Sequence, residues 1–477
     1  MNIVIKKNNL FFSAICSIIS IFLIGIDFIY IAIPFFVGLI FLLESIELGL
    51  RSGGTLFHPY IFVSLVLIWV LVFSPVASIY YQQYLFYPPK QIDWNKWVSI
   101  TCWFYLLLII SHYFIGLIFL KKYIENKTTY YKLNKKYALL ISFIFLSFSM
   151  ICQILVYAKF GGITGYMTTW TEDRTEFDGM GSLFMLAEPF PILALMTLCL
   201  FVKKENLKHP LIFVTVIFLV FFILKLLFGG FRGSRSNTIW GLFWFAGIIH
   251  LYYFRLKKIH LIIGLIFLII FMNLYSIYKS FGVDAFSMQY SMEDTGRFEE
   301  NPTITILLND FSRIGLHAFM LFQYFDFGFY DIKYGQTYLS TISKLIPLWS
   351  DIDIYSKNSA GSEILYDRKS SLIFQDYYNS RVYGAYGEAI LNFGPVLAVF
   401  IFGIYSFFIV LLDNFTRTIS KTDPYLFLIP FFANFSLMSL LADSDNLLFF
   451  FFKNGLLVFL FLFLIRKFSI QKITEFK

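Results

Sequence analysis

Residues 210–228 read PLIFVTVIFLVFFILKLLF, nineteen positions with one charge, at Lys225. A helix of that length, at about 1.5 Å per residue, is roughly 28 Å long. That matches a hydrocarbon core of about 30 Å, and the run has no polar stripe to turn toward water. Similar apolar runs lie at 10–26, 29–46, 59–80, 98–120, 137–158, 182–202, 237–253, 260–278, 386–411, 425–441 and 446–465. In lipid the backbone must satisfy its own hydrogen bonds, so each run is expected to be a helix. The expected fold is an all-α polytopic membrane protein with about twelve spans. It divides into transmembrane helices one to nine (1–278), an extracytoplasmic, largely helical cap loop (279–385), and transmembrane helices ten to twelve with a cytoplasmic tail (386–477).

Composition agrees. The 477 residues are 58% hydrophobic and 14% charged, against about 25% charged in soluble domains. The net charge of +8 would suggest nucleic acid in a soluble protein; here it is read by side of the membrane, and no nucleic-acid partner is expected. Of the 38 Lys and Arg, 21 fall in segments that are cytoplasmic if the N-terminus is inside, and five in the short outer loops. The positive-inside rule therefore places both termini in the cytoplasm. Lys6 and Lys7 before the first run resemble a signal peptide, but no small-residue cleavage site follows, so the first span is expected to be retained. Cys16, Cys102, Cys152 and Cys199 sit in apolar stretches with no CxxC, which reads as buried thiols rather than a disulfide or metal framework. No P-loop, GxGxxG or HExxH is present, and no cofactor or metal is expected.

Polar chemistry gathers at the outer ends of the spans. Glu188, Lys225 and Lys453 lie within predicted spans, at depths of roughly 6–11 Å. Such residues face protein or a wet cavity, although Lys225 reads equally well as snorkelling to the interface. FGGFRGSRSN (228–237) places Arg232 and Arg235 in a very short outer loop that opens a helix, an arrangement suited to phosphate. TWTEDRTEF (169–177) carries Arg174 among acids, either a local ion pair or a site residue. In a helix expected over 303–325, Asp310, Arg313 and His317 would share one face. SRVYGAYGEAILNFGP (380–395) brings Arg381 and Glu388 seven residues apart, with Glu388 at the boundary of lipid and water.

The order of these features resembles the Wzy-type O-antigen or oligosaccharide repeat-unit polymerases. The resemblance is carried by GGITGYMTTWTEDR, FGGFRGSRSN, YGQTYLSTISKLIP (334–347), YGEAILNFG (386–394) and the late, long outer loop. It implies a metal-independent membrane glycosyltransferase of the GT-C kind in a bacterial cytoplasmic (inner) membrane. Such enzymes move a growing glycan from undecaprenyl diphosphate onto an incoming lipid-linked unit. The implied partners are the lipid-linked oligosaccharide donor and acceptor, the bilayer, and room for a chain-length regulator protein. On this reading Arg232 and Arg235 hold the diphosphate, with Arg313 and Arg174 in support. Glu388 and then His317 are candidates for the base, and Glu188, Asp310 and Arg381 support the site. An O-antigen ligase is the nearest alternative. A lipid-linked oligosaccharide flippase is the alternative from another class, although transporters favour midplane sites and repeats, which this sequence lacks.

Overall fold

The computed structural model describes residues 6–25, 29–84, 92–122, 129–172, 177, 179–203, 205, 207–232, 235–282, 304, 307–308, 311–327, 331–343, 356–366, 382–420 and 422–474. The helices, in chain order, are α1 (Lys7–Ile24), α2 (Ile29–Arg51), α3 (Pro59–Tyr81, with a π-helical stretch at Ile68–Phe73) and α4 (Trp94–Phe119). After strand β1 (Thr129–Leu133) come α5 (Lys135–Lys159), α6 (Ile163–Glu172), α7 (Gly181–Ala187), α8 (Phe190–Phe201), α9 (Pro210–Leu227), α10 (Arg235–Tyr252) and α11 (Lys258–Phe281). Three shorter helices follow, α12 (Ile314–Phe322), α13 (Gln336–Ser343) and α14 (Lys357–Tyr366). The chain then forms α15 (Gly384–Arg417), α16 (Ile429–Leu441), α17 (Ser444–Ser469) and strand β2 (Ile470–Thr474). Local chemistry sets several boundaries. The Asp93 carboxylate caps α4 by accepting from Lys96 N at 3.1 Å, Asn134 caps α5 through Lys136 N at 3.2 Å, and Gly25, at φ 98°, ends α1.

Ten helices among the described residues are long and apolar enough to cross a membrane, so this is a helical protein of multi-pass character. Ten of the twelve expected runs correspond to them. The other two are helical but fall short: α10 opens on Arg-Ser-Asn-Thr, and the apolar part of α11 is Ile262–Tyr278. These two are consecutive, so the sidedness of every other span is the same with or without them. The expected helix over 303–325 is interrupted: the described residues 304, 307 and 308 are helical, Phe311 to Arg313 are not, and a helix resumes at Ile314, whose N donates to the Ser312 hydroxyl at 3.2 Å. Arg313 is therefore outside the helix, and the one-face arrangement with His317 does not form; Asp310 lies outside the described residues.

The chain packs as two compact units, each assembled from distant segments. Unit 1 comprises residues 1–123, 304–417 and 435–448. At its heart is α12, with every residue from Ile314 to Leu321 buried, packed on α4 through Trp97 against Phe322 and Tyr105 against His317. Polar contacts tie together chain ends that the sequence assigns to the cytoplasm. Lys6 pairs with Glu47 at 2.7 Å. Arg417 pairs with Asp413 and donates to the Ser52 carbonyl at 2.5 Å, and Lys121 N donates to Asn414 at 2.8 Å. Unit 2 comprises 124–303, 418–434 and 449–477. Here β1 and β2 form an antiparallel ribbon, Thr129 opposite Thr474, which again joins two segments assigned to one side. Leu211, Ile212, Val216, Leu219, Val220 and Ile223 of α9 are all exposed, a face that only lipid or another apolar surface can cover.

Candidate functional site

Among the described residues, each unit contains a buried polar centre built on a carboxylate that the sequence singles out. In unit 2 the three ionisable residues expected inside spans meet. Glu188 and Pro189 separate α7 from α8, and the Glu188 side chain points inward, 2% exposed. Its Oε1 accepts from Arg232 Nη2 at 2.6 Å. Its Oε2 accepts from Asn237 Nδ2 at 2.6 Å and pairs with Lys453 Nζ at 2.8 Å. Lys225 Nζ reaches the Glu188 carbonyl at 3.5 Å. Lys225 is buried, so the snorkelling alternative fails: Gly241 leaves room for its stem, and a Cβ there would sit 2.5 Å from Lys225 Cε. Gly229, at φ +116°, is similarly constrained, because a Cβ would meet Asn237 Nδ2 at 2.5 Å.

Three cations thus surround one carboxylate. The Arg232 guanidinium lies over the Phe184 ring at 4.0 Å and keeps 17% of its side chain exposed. Its buried Nε has no hydrogen-bond partner among the described residues. A burial of this kind is favourable only when the charges are compensated, and here about two positive charges remain uncompensated among the described residues. The cavity beside Glu188, Lys225 and Trp240 measures about 10 Å³, too small for a phosphate. An anion would therefore approach the exposed side of Arg232. Arg235 opens α10, but its side chain, like all of Arg174, lies outside the described residues.

The centre of unit 1 is Glu388, fully buried in the second turn of α15. Its Oε1 accepts from the Thr337 hydroxyl at 2.8 Å and the Ser444 hydroxyl at 2.7 Å, and its Oε2 from Ser444 N at 2.7 Å. Asn392 donates to Thr337 Oγ1 at 2.7 Å and so orients that hydroxyl toward the carboxylate. No cation pairs with Glu388 among the described residues, which distinguishes it from Glu188. The neighbouring Asp443 holds the start of α15, accepting from Tyr383 N at 2.7 Å and Gly384 N at 2.9 Å. Lys357 of α14 bridges Asp443 at 2.5 Å and Asp445 at 3.0 Å. Burial opposes the Lys357 charge, but the two carboxylates outweigh it and raise its pKa. Arg381, the partner expected for Glu388, lies outside the described residues.

His317 has a different environment. Its Nε2 is 2.8 Å from the Tyr383 carbonyl, which can only accept, so Nε2 carries the proton. Nδ1 then accepts from the Tyr105 hydroxyl at 2.8 Å. Burial keeps the ring neutral and pulls its pKa down to about 4. With both nitrogens engaged, His317 ties α4 to the start of α15, and neither nitrogen is open to a substrate proton. Arg313, expected near the diphosphate, donates to the Ser312 carbonyl at 2.8 Å.

Thr337, Lys357, Asp443 and Ser444 were not picked out as site residues. A signal was present in ADSDN (442–446), two acids in a very short outer loop between apolar runs. The two centres offer different chemistry: an excess of buried cations that suits an anion, and a carboxylate held by neutral donors that can exchange a proton. No model of a known protein family matches the chain, and no curated protein or solved structure does so either.

Proposed function

We propose that this chain polymerises oligosaccharide repeat units carried on polyprenyl diphosphate, moving the growing glycan onto an incoming lipid-linked unit at the outer face of a bacterial cytoplasmic membrane. The observation that carries this reading is the convergence of Arg232 and Lys453 on the carboxylate of Glu188, with Lys225 at the carbonyl of the same residue. The substrate is already activated, so the reaction needs no nucleotide. The acceptor hydroxyl attacks the anomeric carbon, the bond to the diphosphate oxygen breaks, and the hydroxyl proton passes to a base. Charge grows on the departing diphosphate, and a preorganised donor at such a charge contributes about 3–4 kcal/mol in a dry site. In this reading Arg232 is that donor. Glu388 is proposed separately, within unit 1, as a proton-accepting carboxylate, because no cation pairs with it among the described residues. Glu388 is fully buried, so an acceptor reaches it only when Thr337 or Ser444 moves aside.

The test uses purified protein in nanodiscs supplied with lipid-linked repeat units, with products read by mass. Wild type should yield a ladder of multimers. Arg232→Ala should lower the rate by roughly 10²–10³-fold, and Arg232→Lys should recover only part of it, since a lysine lacks the planar fork. Transfer only to a lipid A core acceptor would replace the polymerase with the ligase alternative. Movement of intact units across the bilayer with no new bond would replace it with the flippase.

A further inference from the structure

The end of unit 1 where α1 and α3 finish and α4 begins carries an open cavity of about 830 Å³ that none of the roles above uses. Its volume lies in the range that takes a drug-sized ligand, about 300–1,000 Å³. Tyr84 and Trp94 form one wall, their rings stacked at 4.8 Å and 5°. Gln82, Asp93 and Asn95 supply an amide, a carboxylate and a second amide beside that wall, while Leu23 and Ile24 of α1 close the apolar side.

The wall is held in place from behind. A Cβ on Gly315 would sit 1.7 Å from the Tyr84 carbonyl, so the backbone of Tyr84 rests directly on buried α12. Gln82 adopts φ 52°, one of two non-glycine residues with positive φ among the described residues. Such a conformation is unfavourable for a residue with a side chain and persists where the surroundings enforce it. Here Gln83 N donates to the Ser78 carbonyl at 3.1 Å and fixes the turn.

We propose that this cavity is a carbohydrate subsite for a neutral or amino sugar. Flat aromatic faces suit the C–H face of a pyranose, and the amides and carboxylate suit its ring hydroxyls. An all-apolar ligand would strip water from Gln82, Asp93 and Asn95 without replacing their hydrogen bonds, and Asp93 repels an anion. One Asp93 oxygen caps α4, and the other has no hydrogen-bond partner among the described residues. The subsite adds to the polymerase reading but does not depend on turnover, because binding alone reveals it.

The probe is the single repeat unit, prepared from the host's lipid-linked intermediate and freed of lipid and diphosphate by mild acid. Binding to full-length protein in nanodiscs is measured by calorimetry and by saturation-transfer NMR. Wild type should bind saturably. Trp94→Ala should weaken binding at least tenfold, and Trp94→Phe should keep most of it. Asn95→Ala, an exposed position that does not disturb the core, should weaken it about threefold to tenfold. Arg232→Ala should bind the free sugar as wild type does. Absence of saturable binding, or equal binding by wild type and both alanine variants, overturns the subsite. Sugar binding that persists in a protein unable to polymerise rejects the polymerase reading and leaves the subsite intact.

Discussion

Replacing Glu188 with glutamine keeps the shape of the side chain and removes the negative charge at the centre of unit 2. The carboxylate lies 2.6 Å from Arg232 and 2.8 Å from Lys453, with side-chain exposures of 2% for Glu188, 17% for Arg232 and 7% for Lys453, so solvent screens little of the interaction. Removing one member of a buried pair costs about 3–5 kcal/mol, because the other charge stays buried and unmatched. Here more than one cation loses its partner, while the Gln oxygen still accepts one hydrogen bond, so the expected cost is near the top of that range, about 5 kcal/mol. Lys453→Met acts in the opposite sense. It removes one excess cation, leaves Glu188 with Arg232 and Asn237, and fills the lysine stem with an unbranched apolar chain, for an expected cost of about 1–2 kcal/mol. The double variant should cost less than the sum of the two by at least about 1 kcal/mol, since the residues are directly coupled. Reversible unfolding in mixed micelles, run on all four proteins, gives the cycle. A Glu188→Gln variant within about 1 kcal/mol of wild type, or strict additivity, would refute the reasoning that Arg232 and Lys453 depend on one carboxylate.

Glu388→Gln should lower turnover by roughly 10²–10⁴-fold with little change in stability, because the Thr337 and Ser444 hydroxyls can rotate to accept from the new amide; near-normal turnover would remove the base role, and His317 has no open nitrogen to assume it. Lys357→Met should destabilise the protein by about 3–5 kcal/mol, read from its melting temperature. The Lys357 pKa is raised in the fold, so its contribution is fully present below its ordinary value of about 10.4 and is lost as pH rises through the folded value. The gap in melting temperature between wild type and this variant should therefore hold from neutral pH to about pH 10 and narrow above it, and it should narrow again in acid as Asp443 takes up a proton; a gap that stays constant above about pH 10 and in acid would contradict the ion-pair account. A cysteine placed at Asn126 should react with an impermeant reagent only after spheroplasts are opened; labelling from outside would reverse the sidedness on which the site assignments depend.

The spans were legible because a lipid-facing helix is written in consecutive residues: α9 needs nothing beyond its own run to declare itself. The charges within spans were legible one at a time, since Glu188, Lys225 and Lys453 each stand out against an apolar background. Their meeting was not legible. Segments far apart in sequence bring them together, and periodicity within one helix says nothing about which helices pack. Lys225 illustrates the gap: an amphipathic stem near a span end fits both snorkelling and burial, and only the space left by Gly241 decides between them. The face expected from Arg313 and His317 failed for a local reason: the backbone leaves the helix from Phe311 to Arg313 and re-enters it at Ile314. Lys357 was missed because a lysine in a long polar segment leaves no pattern of its own, and the acids of ADSDN (442–446) stand out without showing which cation they meet.

Helix α15 is 34 residues long and bends at Gly394, where φ is 79° and Pro395 follows. Unbent, it would measure about 51 Å at 1.5 Å per residue, far more than a hydrocarbon core of about 30 Å requires. The bend divides that surplus. The stretch 396–417 alone gives about 33 Å, enough to cross without help from what precedes it. The opening turns, with Glu388 and Asn392, are then free of the requirement to be lipid-compatible, and their direction is set by the bend rather than by the bilayer normal. A carboxylate on such a segment avoids the roughly 2.5–3.5 kcal/mol that a mid-bilayer acid costs on insertion. The membrane anchor and the acid-bearing segment are in this way one continuous helix by sequence and two independent pieces by geometry.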